Sequence, residues 1–159
     1  VMRGTPLMLQ LMVVYFGPYF IFGIRISMGY SLIAVFIAFS INYAAYFAEI
    51  YRGGIESISA GQYEAAKILG YSKAQTFFRI ILPQVIKRIL PSVTNEVITL
   101  VKDTALVTAI GVTEILYFAK ASVNRDVNAS AYLVAAAFYL LMTYGLTKLF
   151  QYLEKKYSF

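Results

Sequence analysis

Apolar runs of helical length dominate this chain and are separated by shorter polar stretches. Residues 30–48 and 131–150 are continuous enough to cross the roughly 30 Å hydrocarbon core of a bilayer as helices. Residues 7–17 form a shorter run, which spans only if the helix continues past Pro18. Residues 89–110 form a further run that polar side chains interrupt. The pattern predicts an all-α integral membrane protein, built as a multi-spanning helical bundle.

Polar segments define how these runs are connected. The longest one, residues 52–88, lies between the second and third predicted spans. Residues 115–127 are mixed and predict a short connecting helix, with a loop at residues 124–126. Thr5 and Pro6 predict the N-cap and first position of the first helix. No repeat, low-complexity tract or Ser/Gly linker interrupts the chain, so we expect residues 1–159 to form one transmembrane domain.

Composition narrows the classes of function. Hydrophobic residues make up 60% and charged residues 14%, against about 45–50% and 25% in soluble domains. The chain has no His and no Cys, which removes most nucleophile–base and zinc arrangements. We therefore predict no catalytic residue, no metal site and no enzyme. A length of 159 residues leaves no room for both a pore and a motor, so we expect partner subunits.

Lys and Arg positions predict the topology. The Arg3 end, the 52–88 stretch and the C-terminus carry ten of the fourteen basic residues if they share one side of the membrane. The opposite side would carry Arg25, Lys120 and Arg125, with Lys102 inside the membrane. The positive-inside rule makes the richer side cytoplasmic. Topology and attraction to anionic lipid headgroups thus account for the net charge of +6, without a nucleic-acid partner.

The 52–88 stretch contains the signals of a helical hairpin. Residues 62–69 suit a short helix, and Gly70 occupies the position where helices commonly end in the left-handed conformation. Ser72 and Gln75 form a capping box that opens a second short helix, which Pro83 follows. The hairpin offers small side chains for close approach and apolar anchors, namely Ala65, Ala66, Tyr63, Ile68 and Phe77. An amphipathic surface hairpin without a partner is the alternative.

The spacing within this hairpin resembles the "EAA" loop of ATP-binding-cassette (ABC) importer permeases. The pattern is Glu-Ala-Ala, three residues, Gly, nine residues, then Ile-x-Leu-Pro. It is carried here by Glu64, Ala65, Ala66, Gly70, Ile80, Leu82 and Pro83. In that family the loop is cytoplasmic and docks into a groove on the ATPase subunit. The resemblance implies that residues 52–88 are a cytoplasmic coupling loop with a coupling helix pair.

Four further segments are similar to the subfamily of permeases for polar amino acids, the histidine, glutamine and arginine systems. These segments are residues 3–7, 48–55, 61–66 and 100–104. The resemblance covers nearly the whole chain and implies a type I ABC importer permease fold. Ser59, where the subfamily often has Pro, and Ala105, where Ser is usual, depart from its pattern and leave the exact subfamily member open.

The same resemblance implies the partners. Such permeases pair with a second copy or a homologue, bind two ABC ATPase subunits and receive the amino-acid substrate from an extracytoplasmic solute-binding protein. ATP and magnesium belong to the ATPase, and no cofactor is expected on this chain. Five spanning helices are usual, so we expect one more helix of roughly 20 residues before Val1. The expected location is the cytoplasmic (inner) membrane, with the C-terminus in the cytoplasm.

Two carboxylates in the third predicted span suggest a substrate path. Glu96 and Asp103 are seven residues apart, so they project from one helix face, roughly 10 Å apart along the axis. An ionised carboxylate facing lipid is costly, and such groups normally face a protein interior or a water-filled cavity. Lys102 is offset by about 100° and need not face the same cavity. We group this pair with Thr104 and with Asn42, for which an interhelical hydrogen bond is the alternative.

This pattern favours cationic substrates such as arginine, histidine or lysine, with neutralisation of one carboxylate by Lys102 as the alternative. Relatives that carry uncharged glutamine leave a glutamine or glutamate importer open. Other classes also remain: a secondary transporter or channel that uses Glu96 and Asp103 as an ion relay, a membrane enzyme, or a structural anchor. The chain has no Gly-rich phosphate loop, so ATP must be bound by another subunit.

Overall fold

The computed structural model describes residues 2–27 and 29–157, which form helices joined by short turns and contain no strand. The α-helices of this described part are α1 (Leu7–Phe22), α2 (Tyr30–Glu56), α3 (Ala60–Ile68), α4 (Lys73–Gln75), α5 (Leu82–Asp103), α6 (Ile115–Asp126) and α7 (Ser130–Tyr157). A π-helical segment, Thr76–Ile81, joins α4 to α5, and a 3₁₀ segment, Thr104–Ile110, extends α5. The all-α prediction is confirmed.

One helix runs without a break from Lys73 to Ile110. The prediction that Pro83 follows a second short helix is therefore wrong. Pro83 lies in the first two positions of α5, directly after the π-helical segment. The wider turn of that segment shifts the hydrogen-bond partners of the following residues, so the missing N–H of proline does not end the helix.

Helix lengths agree with a membrane protein. Among the described residues, two helices are long and apolar enough to span, Tyr30–Glu56 and Ser130–Lys156. A third span results if Lys73–Ile110 and Ile115–Asp126, bent by 52°, are counted together. α1 continues past Pro18 to Phe22 and has 16 residues in all, about 24 Å of helix, still short of the roughly 30 Å core. Pro6 is its N-cap rather than its first helical residue.

The prediction of a loop at residues 124–126 is wrong, because α6 continues to Asp126. The chain turns at Val127, which has a left-handed φ of 51°. The mixed polarity of these residues reflects an exposed last helical turn, in which Arg125 and Asp126 form an ion pair at 2.8 Å.

A buried cluster holds α1, α2 and the 3₁₀ segment together. Leu11 of α1, Phe39 and Tyr43 of α2, and Val107 and Ile110 of the 3₁₀ segment pack with each other. Between helices in a membrane such contacts stabilise mainly through van der Waals packing, because lipid tails are as apolar as these side chains. The cluster fixes the face of α2 that carries Tyr43 against the end of α5, where Asp103 lies.

A second, smaller cluster joins the polar hairpin to the helices. Ile58, Ile81 and Val85 are buried together, and Gly54 of α2 lies against α5 so closely that a Cβ there would be 2.3 Å from Ile89 Cγ2. Arg88 donates hydrogen bonds to the carbonyl and the hydroxyl of Ser57, just past the end of α2. The hairpin is thus anchored to both helices.

Candidate substrate cavity and docking surface

Three walls line an open cavity of about 550 Å³, within the range of small-molecule sites. The N-terminal segment from Arg3 to Met8 forms one wall. The other two walls come from α2 and from α5 with its 3₁₀ extension. Their lining residues are Asn42, Tyr43, Tyr46, Glu96, Thr99, Asp103 and Leu106.

One hydrogen bond joins two of these walls. The Tyr43 hydroxyl of α2 donates to Asp103 Oδ2 of α5 at 2.8 Å. Tyr43 itself is 7% exposed, so this carboxylate is held by a buried partner rather than by lipid or bulk water. Asn42 is next to Tyr43 on α2, and Glu96 lies two turns from Asp103 on α5. Both line the same cavity as the bonded pair.

Three of the four predicted substrate-path residues come together. Glu96, Asp103 and Asn42 all line the cavity, and Asn42 is buried, at 5% exposure. Thr104 does not line it; its hydroxyl donates to the Val101 carbonyl at 2.7 Å and interacts with Tyr139 of α7. Residues adjacent on a helix differ by about 100° in direction, which separates Thr104 from Asp103.

Lys102 also points away from the cavity. Its side chain is exposed on the outer face of α5, and it is absent from the lining residues. Within the part of the chain that the structure describes, Lys102 forms no ion pair with Glu96 or Asp103.

Sequence reasoning missed the one cationic residue among those that line the cavity. Arg3 lies there, with its Nη1 3.4 Å from Glu49 Oε2 and its guanidinium 5.3 Å from the centre of the Tyr46 ring. Glu49 also pairs with Arg52, three residues further along α2, at 2.8 Å. The position of Arg3 depends on packing of the N-terminal segment against α2, for which the sequence carries no local signal.

The hairpin turn has the predicted geometry. Gly70 has φ of +78°, the Gly70 N–H bonds to the Lys67 carbonyl, and the Tyr71 N–H bonds to the Ala66 carbonyl. These two bonds form a Schellman motif. Ser72 and Gln75 exchange side-chain and backbone hydrogen bonds in a complete capping box. Both turn predictions are confirmed.

The tip of this hairpin exposes large apolar side chains. Ile68 is 87% exposed and Leu69 is 72% exposed, beside the exposed Glu64 and Ala65. Exposed apolar groups gathered at one tip are typical of a docking surface.

The other motif residues have internal or peripheral positions. Ala66 is buried, at 1% exposure, and α3 packs there against the π-helical segment. Ile80 packs on the cluster that contains Ile81, Leu82 is half-buried, and Pro83 is exposed. The motif thus combines residues that shape the hairpin with residues that face outward.

Comparison with known proteins places these features in a family. Residues 1–159 match the family described as the binding-protein-dependent transport system inner membrane component. The octopine transport system permease protein of Rhizobium radiobacter is 37% identical over 158 residues, covering 96% of this chain and 64% of that protein. The arginine transport system permease protein of Bacillus subtilis is 45% identical over 116 residues, covering 73% of this chain and 52% of its own length.

A Rickettsia conorii relative, 36% identical over 157 residues, is named provisionally for glutamine transport. This chain therefore spans between about half and 71% of these curated relatives.

A solved structure has the same fold. The crystal structure of an amino acid ABC transporter with histidines matches with a TM-score of 0.87 and 37% identity, over 98% of this chain and 71% of that chain. The helical architecture, the hairpin motif and these matches agree. The chain belongs to the binding-protein-dependent transport system inner membrane component family, the permease subunits of ABC transporters.

Proposed function

We propose that this chain is the membrane-spanning permease subunit of an ATP-driven importer for polar L-amino acids. The observation that carries the proposal is the meeting of Glu96, Asp103 and Asn42 in one cavity of about 550 Å³. Such a cavity offers acceptors for ammonium groups and an amide that both donates and accepts hydrogen bonds. The names of the relatives, for arginine, octopine and glutamine transport, support an amino-acid or related substrate.

Charge favours basic amino acids. Every amino acid brings an α-ammonium group for one carboxylate, and a second carboxylate two helical turns away suits a cationic side chain. Attraction between opposite charges strengthens where the local dielectric constant is low. Glutamine is the second candidate, since one relative is named for its transport and Asn42 supplies an amide partner in the cavity.

Transport would proceed by alternating access. A solute-binding protein would deliver the substrate to the outward-open cavity, and rearrangement of the ATPase pair would move two permease chains so that the cavity opens inward. The family description itself refers to binding-protein dependence. The docking tip at Ile68 and Leu69, exposed at 87% and 72%, supports an ATPase contact through residues 64–83. The substrate shifts the equilibrium only by its unequal affinity for the two states.

The orientation follows from this contact. The hairpin and the C-terminus would lie on the cytoplasmic side of the inner membrane, in agreement with the distribution of Lys and Arg. A secondary transporter would differ in its energy source. Uptake in proteoliposomes that follows ATP and persists without an ion gradient would separate the importer from that alternative.

Asp103→Asn tests the cavity. Loss of the carboxylate should weaken the binding of cationic substrates by about 1–3 kcal/mol, the cost of losing a charged hydrogen-bond partner. Competition of arginine, histidine, glutamine and glutamate for binding to the permease–ATPase complex measures this change. Asp126→Asn is the matched control, because Asp126 is exposed and paired with Arg125 outside the cavity. If glutamate competes best and Asp103→Asn does not change the affinity for cationic substrates, the proposal of a cation site is wrong.

A further inference from the structure

We propose that Arg3 binds the substrate's α-carboxylate, so that the cavity holds an amino acid by three charges rather than two. This inference rests on the proposed function and names the orientation of the substrate within the same site. Arg3 is the cationic residue among the cavity's lining residues, which also include Glu96 and Asp103. Without a cation to face, the α-carboxylate of a bound amino acid would lie among the carboxylates of Glu96 and Asp103, which repel it.

The order of groups along the helices fixes the orientation. The hydrogen bond between Tyr43 and Asp103 defines one end of the cavity. One turn along α2, Tyr46 lies under the Arg3 guanidinium, and Glu49 follows with its ion pair to Arg3. Along α5, Glu96 lies two turns from Asp103, toward the Lys73 end of the helix.

Arg3 and Glu96 therefore belong to the end of the cavity opposite Asp103. The α-ammonium and α-carboxylate of an amino acid share one carbon, so they need an anion and a cation close together. Glu96 and Arg3 supply this pair at one end, and the side chain extends toward Asp103 at the other.

The guanidinium is free to accept this role. It carries five N–H donors in a planar fork that matches a carboxylate. Its contacts within the described residues are the Nη1–Glu49 distance of 3.4 Å and the Tyr46 ring. An ion pair at that distance is longer than the 2.7–2.9 Å of a good charge-assisted hydrogen bond. A substrate carboxylate can therefore bind to the donors that Glu49 leaves open, while Tyr46 supports the guanidinium plane.

The test compares ligands that differ only in the carboxylate. L-Arginine and agmatine share the guanidinium and the amino group, and agmatine lacks the carboxylate. L-Glutamine and 4-aminobutanamide form a second such pair. Equilibrium binding is measured on the purified permease–ATPase complex without a solute-binding protein, since that protein would impose its own selectivity. The variants are Arg3→Gln and Arg52→Gln. Arg52 also pairs with Glu49 but is absent from the cavity lining.

We expect the wild-type complex to bind the amino acid at least about tenfold more tightly than its decarboxylated analogue. Arg3→Gln should lower the affinity for the amino acid to that for the analogue, and the affinity for the analogue should not change. Arg52→Gln should preserve the difference in affinity between the two ligands. If Arg3→Gln weakens both ligands equally, Arg3 only holds the N-terminal segment in place and the proposal is wrong. An unchanged preference in Arg3→Gln also overturns it. Absence of binding of either amino acid to the wild type would instead overturn the proposed function itself.

Discussion

Gly54→Val is expected to prevent stable packing of α2 against α5. A Cβ at this position would lie 2.3 Å from Ile89 Cγ2 and 3.1 Å from Val85 Cγ1. Ile89 and Val85 are β-branched and have few alternative rotamers in a helix, so neither methyl group can move away easily. Overpacking of this kind costs about 3 kcal/mol, a large share of the roughly 5–15 kcal/mol that stabilises a folded domain. The thermal midpoint of the detergent-solubilised protein measures the loss.

Gly53→Val is the matched control. Gly53 precedes Gly54 in the same helix, yet beyond the nearby helix backbone no described atom lies within 4 Å of a Cβ placed there. This variant should keep the wild-type midpoint or exceed it, because valine has a higher helix propensity than glycine. Adding Ile89→Ala to Gly54→Val should recover part of the lost stability by removing the clashing methyl group. Equal midpoints for Gly53→Val and Gly54→Val would contradict the predicted close approach.

Gly70→Val is expected to abolish ATP-dependent uptake without preventing membrane insertion. Gly70 has φ of +78°, a conformation that a β-branched residue strongly resists. Apart from the neighbouring residues in the chain, no described atom lies within 4 Å of a Cβ at this position, so the cost comes from the backbone rather than from crowding. Distortion of the turn would displace Ile68 and Leu69 and loosen the ATPase contact. Co-purification with the ATPase and substrate uptake in proteoliposomes report the effect.

Two controls separate backbone strain from loss of glycine as such. Gly70→Asn should retain part of the activity, because asparagine tolerates the left-handed conformation better than valine. Gly61→Val should still co-purify with the ATPase. Gly61 lies within α3, and no described atom beyond its nearby backbone lies within 4 Å of a Cβ there. Full uptake by Gly70→Val would show that the turn does not transmit the coupling.

Local chemistry made the turn predictable. Gly70 and the Ser72–Gln75 box act through bonds between residues at most five positions apart, so their residue types contain the needed information. The helical period likewise predicted that Glu96 and Asp103 share a face, and both line one cavity. Asn42 joins them from α2, which required only that two spanning helices be neighbours.

Three features had no clear signal in the sequence. Pro83 continues a helix because a π-helical segment precedes it, and residue propensities carry no clear signal for that segment. Arg3 reaches the cavity through the fold of the N-terminal segment against α2. Gly54 is an ordinary helical residue in the sequence, and only the approach of Ile89 reveals why a side chain is excluded there.

In the proposed mechanism, the unbroken helix from Lys73 to Ile110 would transmit movement as a lever. Its start adjoins the docking turn, and Asp103 lies thirty residues further on, about 45 Å along the axis. A tilt of about 5° around the Gly54 contact would displace its two ends in opposite directions, by about 4 Å in total. Glu96 and Asp103 would move together with this helix, whereas Arg3 and Asn42 belong to other elements. A small displacement of the hairpin would therefore change the distance between the wall that carries Glu96 and Asp103 and the other walls of the cavity. That change would alter the affinity for a bound solute.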